Sequence, residues 1–324
     1  MARDEEGLFD RIRSACAEVT SRARFVRIEA GGVERLARRF ATASRIPIDL
    51  DPAHDFRGDE SETLAFTILL DAINFGSGWF PLLRKRTGLS GYRTIATICR
   101  ERFEREGCPR GERLRSMTGR AMAELLEQDA GDPAVIELMD LYARAWRDLG
   151  DLLAAEFDDR FEGIVEAADH SAERLVRWLT RMPLYRDVSR YAEIDVPFYK
   201  RAQITAADLA RNLSGKGLGR FDDLDRLTLF ADNLVPHVLR CEGVLRYDPA
   251  LVARIDAGER LETGSEEEVE IRAVALEAVE RIVAELEGRG VPITAHELDG
   301  WLWNAGQAPR IKAIPRHRAR SPYY

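Results

Sequence analysis

The chain has 324 residues, of which 45% are hydrophobic and 32% charged, and its formal net charge is -8. These proportions are typical of a soluble globular protein. The acidic balance excludes a generally basic surface, so long-range attraction to nucleic acid or to an anionic membrane is not expected.

The cysteines and the first residues indicate where the protein works. The cysteines lie apart, without CxxC or Cys/His spacing, which predicts neither a disulfide framework nor a structural zinc site. The opening stretch MARDEEGLFD carries acids where a signal peptide has an apolar run, and no segment approaches the roughly 20 apolar residues of a membrane span. We therefore expect a cytoplasmic protein.

Apolar residues recur at three- and four-residue spacing through most of the chain, which predicts a mainly α protein. Helices are expected over residues 5–23, 32–42, 61–74, 92–106, 110–127, 135–157, 167–182, 206–213, 224–243, 249–257, 265–290 and 295–305. Alternating patterns predict strands only at 23–29 and 195–203. Repeats, low-complexity tracts and long linkers are absent, so one globular domain over residues 1–324 is predicted.

The stretch LLDAINFGSGWFP, residues 69–81, begins as a helix and ends in a glycine-rich turn. Asp71 and Asn74 are three residues apart and lie on one helical face. Phe75 and Trp79 add flat apolar surfaces. The pattern indicates either a helix end with core aromatic residues or a ligand slot in which rings stack on a heterocycle.

Several cations lie in non-periodic segments. Lys200 and Arg201 follow two aromatic residues in VPFYKRAQ, and Lys216 lies in SGKG, which lacks the full spacing of a nucleotide-binding P-loop. A solvated turn is the better interpretation for Lys216. The last 26 residues mix cations with Trp, Ile, Pro and Tyr, so we expect this segment to pack and to close over an anion.

One carboxylate, Asp232, lies among apolar residues in FADNLVPHVLR. An aspartate ahead of a helix commonly accepts hydrogen bonds from the first-turn N–H groups, and spacing alone favours that capping role. His54, in DPAHDF, is the histidine that best suits a ligand contact, with an ordinary loop histidine as the alternative. HExxH and GxSxG patterns are absent, so neither a metal site nor serine hydrolysis is indicated.

Together these stretches resemble the queuosine salvage proteins, which act as queuosine 5'-phosphate N-glycosylase/hydrolases. The resemblance is carried, in family order, by LLDAINFGSGWFP, GYRTIATICRERFEREG, YRDVSRYAEIDVPFYKRAQI, GKGLGRFDDLDRLTLFADNLVPHVLRCEGVLRYD, EEEVEIRA and IPRHRARSPYY. It implies a compact helical fold similar to helix-hairpin-helix DNA glycosylases, with at most a small β element. It also implies that the base–ribose bond of queuosine 5'-phosphate is cut to release queuine.

The resemblance also implies roles for single residues. Asp232 matches the catalytic Asp and Phe230 a wall of the base pocket. The remaining substrate-binding positions are His54, Asp71, Asn74, Phe75, Trp79 and Asp299 for the base, and Lys200 and Arg201 for the phosphate, with Arg310, Lys312 and Arg316 as competitors. No metal or other cofactor is implied. The expected substrate is a mononucleotide, with no stable nucleic acid complex.

The implied chemistry is consistent with these residue types. Cleavage of an N-ribosidic bond passes through an oxocarbenium-like state, which a carboxylate stabilises or attacks. Queuine is a 7-deazapurine, so hydrogen bonds from Asp71, Asn74 or Asp299 to its six-membered ring would activate the leaving group, and a carboxylate would select its cationic amine. Two alternatives remain: a glycosylase-like module that binds a modified base or nucleic acid without cutting it, and a helical adaptor.

Overall fold

The computed structural model describes residues 7–42, 51–56 and 58–324, and its described part is mainly α, as the sequence predicts. The helices are α1 Leu8–Arg22, α2 Ala30–Thr42, α3 Glu60–Ala72, α4 Gly91–Glu106, α5 Glu112–Arg115, α6 Gly119–Leu125, α7 Pro133–Glu156, α8 Phe161–Ala168, α9 Ala172–Leu179, α10 Lys200–Asn212, α11 Val235–Cys241, α12 Pro249–Asp256, α13 Glu266–Gly288, α14 Ala295–Ala305 and α15 Pro309–Lys312. The first two residues of the helix predicted at 5–23 lie outside the described ranges.

Four short strands form two antiparallel pairs. β1 Val26–Ile28 pairs with β4 Leu245–Tyr247, and β2 Val188–Tyr191 pairs with β3 Ile194–Pro197. The small β content agrees with the prediction. The similarity to DNA glycosylases and the single domain stay predictions.

The described residues group into two compact units, each built from separate stretches of chain. The first unit comprises residues 7–42, Asp187–Lys200 and Asp225–Arg320; the second comprises residues 51–56, 58–186, Arg201–Leu224 and Ser321–Tyr324. Within these ranges, no helix is both long enough and apolar enough to cross a membrane.

Helix α13 is the centre of the first unit, where it packs against α1 and α2. Ser265 caps its N-terminus by accepting a hydrogen bond from the Glu268 amide, and three glutamates occupy its first turn. Negative charge at this end favours the helix dipole. Most α13 residues from Glu268 to Val279 are fully buried, so the helix is surrounded by protein on nearly all sides.

Helix α7 has the corresponding place in the second unit, where it packs against α5 and α6. Two of its aromatic side chains donate hydrogen bonds to main-chain carbonyls in the last turn of α3 and in the turn after it. The Trp146 indole donates to the Leu69 carbonyl at 3.0 Å, and the Tyr142 hydroxyl donates to the Phe75 carbonyl at 2.7 Å. The end of α3 and the turn after it are therefore fixed from inside the core.

The prediction of a strand over residues 195–203 is wrong beyond Pro197. Phe198 and Tyr199 form a turn in which both amides donate to the Asp187 carbonyl, and α10 begins at Lys200. The left-handed backbone of Tyr199, with φ of 47°, reverses the chain direction there. The strand pattern continues past the real strand end in the sequence because Phe198 and Tyr199 are aromatic residues, which are common in strands, although here they form the turn before α10.

The helix predicted at 224–243 is also wrong over its first half. That half contains a single 3₁₀ turn, Leu224–Arg226, and then extended chain. Helix α11 begins at Val235. Pro236 lies in the first turn of α11, where a residue without an N–H is tolerated. The same proline in the middle of a longer helix would remove a main-chain hydrogen bond and clash with the preceding turn. Residues 227 to 234 are therefore not helical.

Two further predicted helices are interrupted. The one at 110–127 divides into α5, which ends at Arg115, and α6, which Thr118 caps by accepting a hydrogen bond from the Ala121 amide. The one at 167–182 is replaced by α8 and α9, because Asp169 and His170 both adopt left-handed backbone conformations. Helix α15 is not indicated by any periodicity in the sequence.

Gly32 is a point where the first unit tolerates no side chain. A Cβ at this position would lie 2.0 Å from the carbonyl oxygen of Gly243, a main-chain atom that cannot move aside. We expect Gly32→Ala to lower the free energy of unfolding by about 2 kcal/mol through overpacking. The matched control is Gly31→Ala, whose Cβ meets only the flexible end of Arg35 and should be neutral or stabilising. Urea unfolding of both variants measures this, and equal stabilities would contradict the close approach.

Candidate active site

Asp232 lies at the end of the extended chain that precedes α11, and it is half-buried. Its Oδ1 accepts hydrogen bonds from the amides of Leu234 at 2.7 Å and Val235 at 2.9 Å. The N-cap position of α11 is Leu234, so Asp232 does not occupy the cap that the spacing favours, but it binds the first amides of the helix from two residues ahead of it. Two N–H donors on one oxygen fix the plane of the carboxylate, and the other oxygen, Oδ2, has no hydrogen bond from the described residues.

The extended chain before Asp232 is held by side chains from other elements. The Phe230 amide donates to Asp299 Oδ1 at 3.3 Å, and Arg272 Nε donates to the Ala231 carbonyl at 3.0 Å. Phe230 is 8% exposed and Asp299, on α14, is 7% exposed. The structure thus brings the predicted residues Phe230 and Asp299 together, with Asp299 acting at least as an acceptor for the main chain. Their roles in base recognition stay predictions.

Four of the five predicted phosphate-binding cations belong to the first unit. Lys200, the first residue of α10, is 6% exposed, whereas Lys312 is exposed and Arg310 pairs with Glu242 at 2.8 Å. Arg316 is more deeply placed. Burial lowers the pKa of the Arg316 guanidinium from its ordinary value, and the negative charge of Asp232 partly offsets that effect. Arg316 is thus a cation of the C-terminal segment that interacts electrostatically with Asp232.

Arg201 belongs to the second unit and is 2% exposed. Its guanidinium donates to three main-chain carbonyl oxygens, those of Ala72 at 2.5 Å, Pro322 at 3.1 Å and Leu184. It also lies 4.5 Å from the ring centroids of both Phe75 and Tyr185. This arrangement uses the cation to join distant main-chain segments. Phosphate binding by Arg201 stays a prediction.

His54 and Asp71 belong to an acidic cluster in the second unit. His54 Nε2 lies 2.6 Å from the Tyr92 hydroxyl, and its Nδ1 lies 3.6 Å from Asp208 Oδ2. Asn74 donates through Nδ2 to Asp71 Oδ1 at 3.5 Å, although Asn74 lies in the turn after α3 and not on the predicted helical face. Asp71 and Asp208 are 1% and 5% exposed, so this cluster concentrates negative charge away from water.

Tyr92 and Asp208 are members of this cluster that the sequence alone does not single out. Burial raises the pKa of the Tyr92 hydroxyl well above its usual range, and the carboxylates of Asp71, Asp208 and Asp51 raise it further. The hydroxyl therefore keeps its proton. Several buried carboxylates beside a histidine and a phenol can recognise a cationic group with hydrogen-bond donors.

Phe75 and Trp79 are core residues of the second unit, each 1% exposed. The Phe75 ring packs edge-on against Tyr142 with centroids 4.9 Å apart, and the Trp79 indole donates to Glu137 Oε2 at 3.0 Å. These contacts agree with the core alternative for the stretch 69–81. Stacking of either ring on a base stays a prediction.

The described residues include no group of three or more His, Cys, Asp or Glu side chains arranged to hold a metal ion. The four cysteines all have free thiols.

The family of the chain follows from its similarity to known proteins. A family model described as queuosine salvage protein matches residues 54–324, which include every predicted site residue. The chain belongs to the queuosine salvage protein family.

Relatives of this queuosine salvage protein family member match it over nearly its whole length. A protein of Sphaerobacter thermophilus is 36% identical over 94% of this chain and 95% of its own length. Proteins of Bos taurus and Mus musculus are 31% and 29% identical, each over 96% of this chain and 98% of its own length. All three are named queuosine 5'-phosphate N-glycosylase/hydrolase.

His317, next to Arg316, gives this family member a pH-dependent stability. Burial, together with the nearby positive charges, lowers the pKa of His317 from 6.5 to about 3. Neither of its ring nitrogens has a hydrogen-bond partner among the described residues. The unfolded chain binds a proton here below about pH 6.5, whereas the folded chain does not until about pH 3. Stability should therefore fall as the pH drops through this interval.

Between about pH 7 and about pH 5, the wild type should lose about 2 kcal/mol of its free energy of unfolding through His317. His317→Met should not show this loss, because no proton is taken up at this position on unfolding. Urea unfolding at the two pH values measures the difference. An unchanged pH dependence in His317→Met would contradict the assignment.

Proposed function

We propose that the protein hydrolyses the N-glycosidic bond of queuosine 5'-phosphate, with water as co-substrate, to give queuine and ribose 5-phosphate. The observation that carries this proposal is the nearly full-length similarity to relatives that all bear the same enzyme name. A cytoplasmic location is part of the proposal, and the four free thiols favour it. The acidic net charge favours a mononucleotide over tRNA as substrate.

In the proposed reaction, Asp232 acts on the sugar through Oδ2. As the bond from C1' to the base breaks, its electron pair leaves with the base and positive charge spreads over C1' and the ring oxygen. A carboxylate with a fixed orientation stabilises that charge without having to reorganise. The two amides that bind Oδ1 draw electron density from that oxygen, which supports Oδ2 as the atom that faces C1'.

For the 5'-phosphate, we favour Lys200 and Arg316 among the predicted cations. Both belong to the same unit as Asp232; Lys200 is 6% exposed and Arg316 is half-buried, so solvent screens their charges less than it would at the surface. A guanidinium can bind two phosphate oxygens at once, whereas an ammonium acts as a point charge. Arg310 is engaged with Glu242 at the surface, and this makes it a weaker candidate.

Replacement of the proposed catalytic carboxylate is the first test. Asp232→Asn keeps an oxygen for the two amides of α11 but removes the negative charge, so the release of queuine should slow by on the order of 100-fold or more. Incubation of pure protein with queuosine 5'-phosphate and chromatography of liberated queuine measure the rate. A protein that only binds the nucleotide would release no free base at any time.

A matched control separates catalysis from capping. Asp248 caps α12 by accepting a hydrogen bond from the Ala250 amide, much as Asp232 accepts from the amides at the start of α11, but Asp248 lies outside the candidate site. Asp248→Asn should change stability by a similar small amount and leave the rate within about twofold of wild type. If both variants release queuine at the wild-type rate, Asp232 is a structural cap and the catalytic assignment fails.

Phosphate recognition is tested by binding, on an Asp232→Asn background in which turnover does not interfere. Arg316→Gln should weaken binding of queuosine 5'-phosphate by roughly 10- to 100-fold, the usual effect of losing a charged hydrogen bond. Binding of queuosine, which lacks the phosphate, should change little. Arg310→Gln is the control and should alter neither dissociation constant. Equal weakening of both ligands by Arg316→Gln would show that Arg316 does not bind the phosphate.

A further inference from the structure

Arg272, on the central helix α13, is 1% exposed and makes directed hydrogen bonds to two different segments. Nη1 and Nη2 donate to Asp187 Oδ1 and Oδ2 at 3.0 and 2.6 Å, and Nε donates to the Ala231 carbonyl at 3.0 Å. A guanidinium is planar, so these bonds fix both partners in one plane. Ala231 is the residue immediately before Asp232.

Asp187 continues this connection to the start of α10. The same Oδ2 that accepts from Arg272 also accepts from the Lys200 amide at 3.2 Å, and Asp187 is 2% exposed. Its main-chain carbonyl accepts from the amides of Phe198 and Tyr199 at 2.9 and 3.3 Å. The turn that presents Lys200 is thus built around Asp187.

The geometry of this turn is unusual for its residue types. Tyr199 has φ of 47°, a left-handed conformation that is uncommon outside glycine, asparagine and aspartate. Phe198 lies with its ring centroid 3.9 Å from the Arg272 guanidinium carbon, so the ring closes one face of the ion pair. Backbone strain of this kind persists only where surrounding contacts over-determine it, and it concentrates at functional sites.

Stability alone is a poor explanation for the ion pair. Burying two charges carries a desolvation penalty that often equals or exceeds their attraction, and well-packed apolar residues frequently serve a fold as well or better. An apolar pair, however, could not bind the Ala231 carbonyl and the Lys200 amide in defined directions. The distinctive property of Arg272 and Asp187 is therefore geometric.

We propose that Arg272 and Asp187 are positioning residues that hold Asp232 and Lys200 in a fixed mutual geometry through their main chains. The path runs from the Ala231 carbonyl through Arg272 and Asp187 to the Lys200 amide and contains no solvent-exposed link. The inference rests on the proposed function, because it assigns Asp232 and Lys200 to the reacting nucleotide. A misplacement of about 1 Å at such a site can lower the rate on the order of 100-fold.

The test uses the full-length protein and two variants. Arg272→Lys keeps a cation for Asp187 but loses the planar fork and the bond to Ala231. The double variant Arg272→Met with Asp187→Leu removes both charges of the pair together. It is made on a Glu268→Gln background, because the buried Glu268 lies 3.8 Å from Arg272 Nη1 and would otherwise lose its cation. For each, kcat and KM for queuosine 5'-phosphate are measured well below Tm, and Tm is measured by thermal unfolding.

We expect the double variant to unfold within a few degrees of wild type while kcat falls on the order of 100-fold. Arg272→Lys should lower kcat by about tenfold or more, with KM changed less than kcat. If kcat recovers together with Tm in the double variant, the pair is structural and the inference is overturned. If the double variant does not fold, Arg272→Lys decides, and a kcat within about twofold of wild type overturns the inference.

The matched control is another ion pair of the same helix. Glu280 on α13 pairs with Arg13 on α1 at 3.0 Å, away from residues 231 and 200. Arg13→Met with Glu280→Leu should leave kcat unchanged. A wild-type protein that releases no queuine overturns the proposed function and this inference with it, whereas an active wild type with unaffected Arg272 variants overturns the inference alone.

Discussion

Three buried charges on helix α13 satisfy the main chain of irregular segments in the first unit. Glu270 accepts hydrogen bonds from the consecutive amides of Arg24, Phe25 and Val26, Glu268 accepts from the Gly264 amide, and Arg272 donates to the Ala231 carbonyl. Buried main-chain groups without partners are costly, so loops around an apolar helix would require other partners. Glu268 and Arg272 on one side of α13 and Glu270 on another side therefore permit non-helical chain to run through the interior.

Asp232 depends on this arrangement because it lies in one of those non-helical segments. The geometry of its carboxylate is compatible with both roles that the sequence presents as alternatives, since one oxygen binds the amides at the start of α11 and the proposed reaction uses the other. The cap also explains why the side chain would be oriented before any substrate arrives. A capping hydrogen bond and a catalytic role are therefore compatible at the same residue, provided that they use different oxygens.

Local signals in the sequence predict the regular elements well and the irregular ones poorly. Helix α14 has the predicted bounds because Thr294 and Glu297 form a reciprocal capping box that marks its start. The helical spacing of apolar residues predicts a helix for the stretch before α11. In the structure, its main chain instead binds Asp299 and Arg272, which are distant in sequence. Family resemblance identified Asp232 as a candidate, whereas Tyr92 and Asp208 carry no local signal. Their association with His54 arises only from tertiary packing.

The discontinuous make-up of the second unit has a consequence for biosynthesis. Arg201 joins Ala72, 129 residues earlier, to Pro322, 121 residues later. At translation rates of roughly 5–20 residues per second, Arg201 emerges on the order of 10 s before its last partner has been made. In that interval a cationic side chain that becomes buried lacks one of its acceptors, so the contacts of Arg201 in the second unit are completed only after residue 322 has been synthesised.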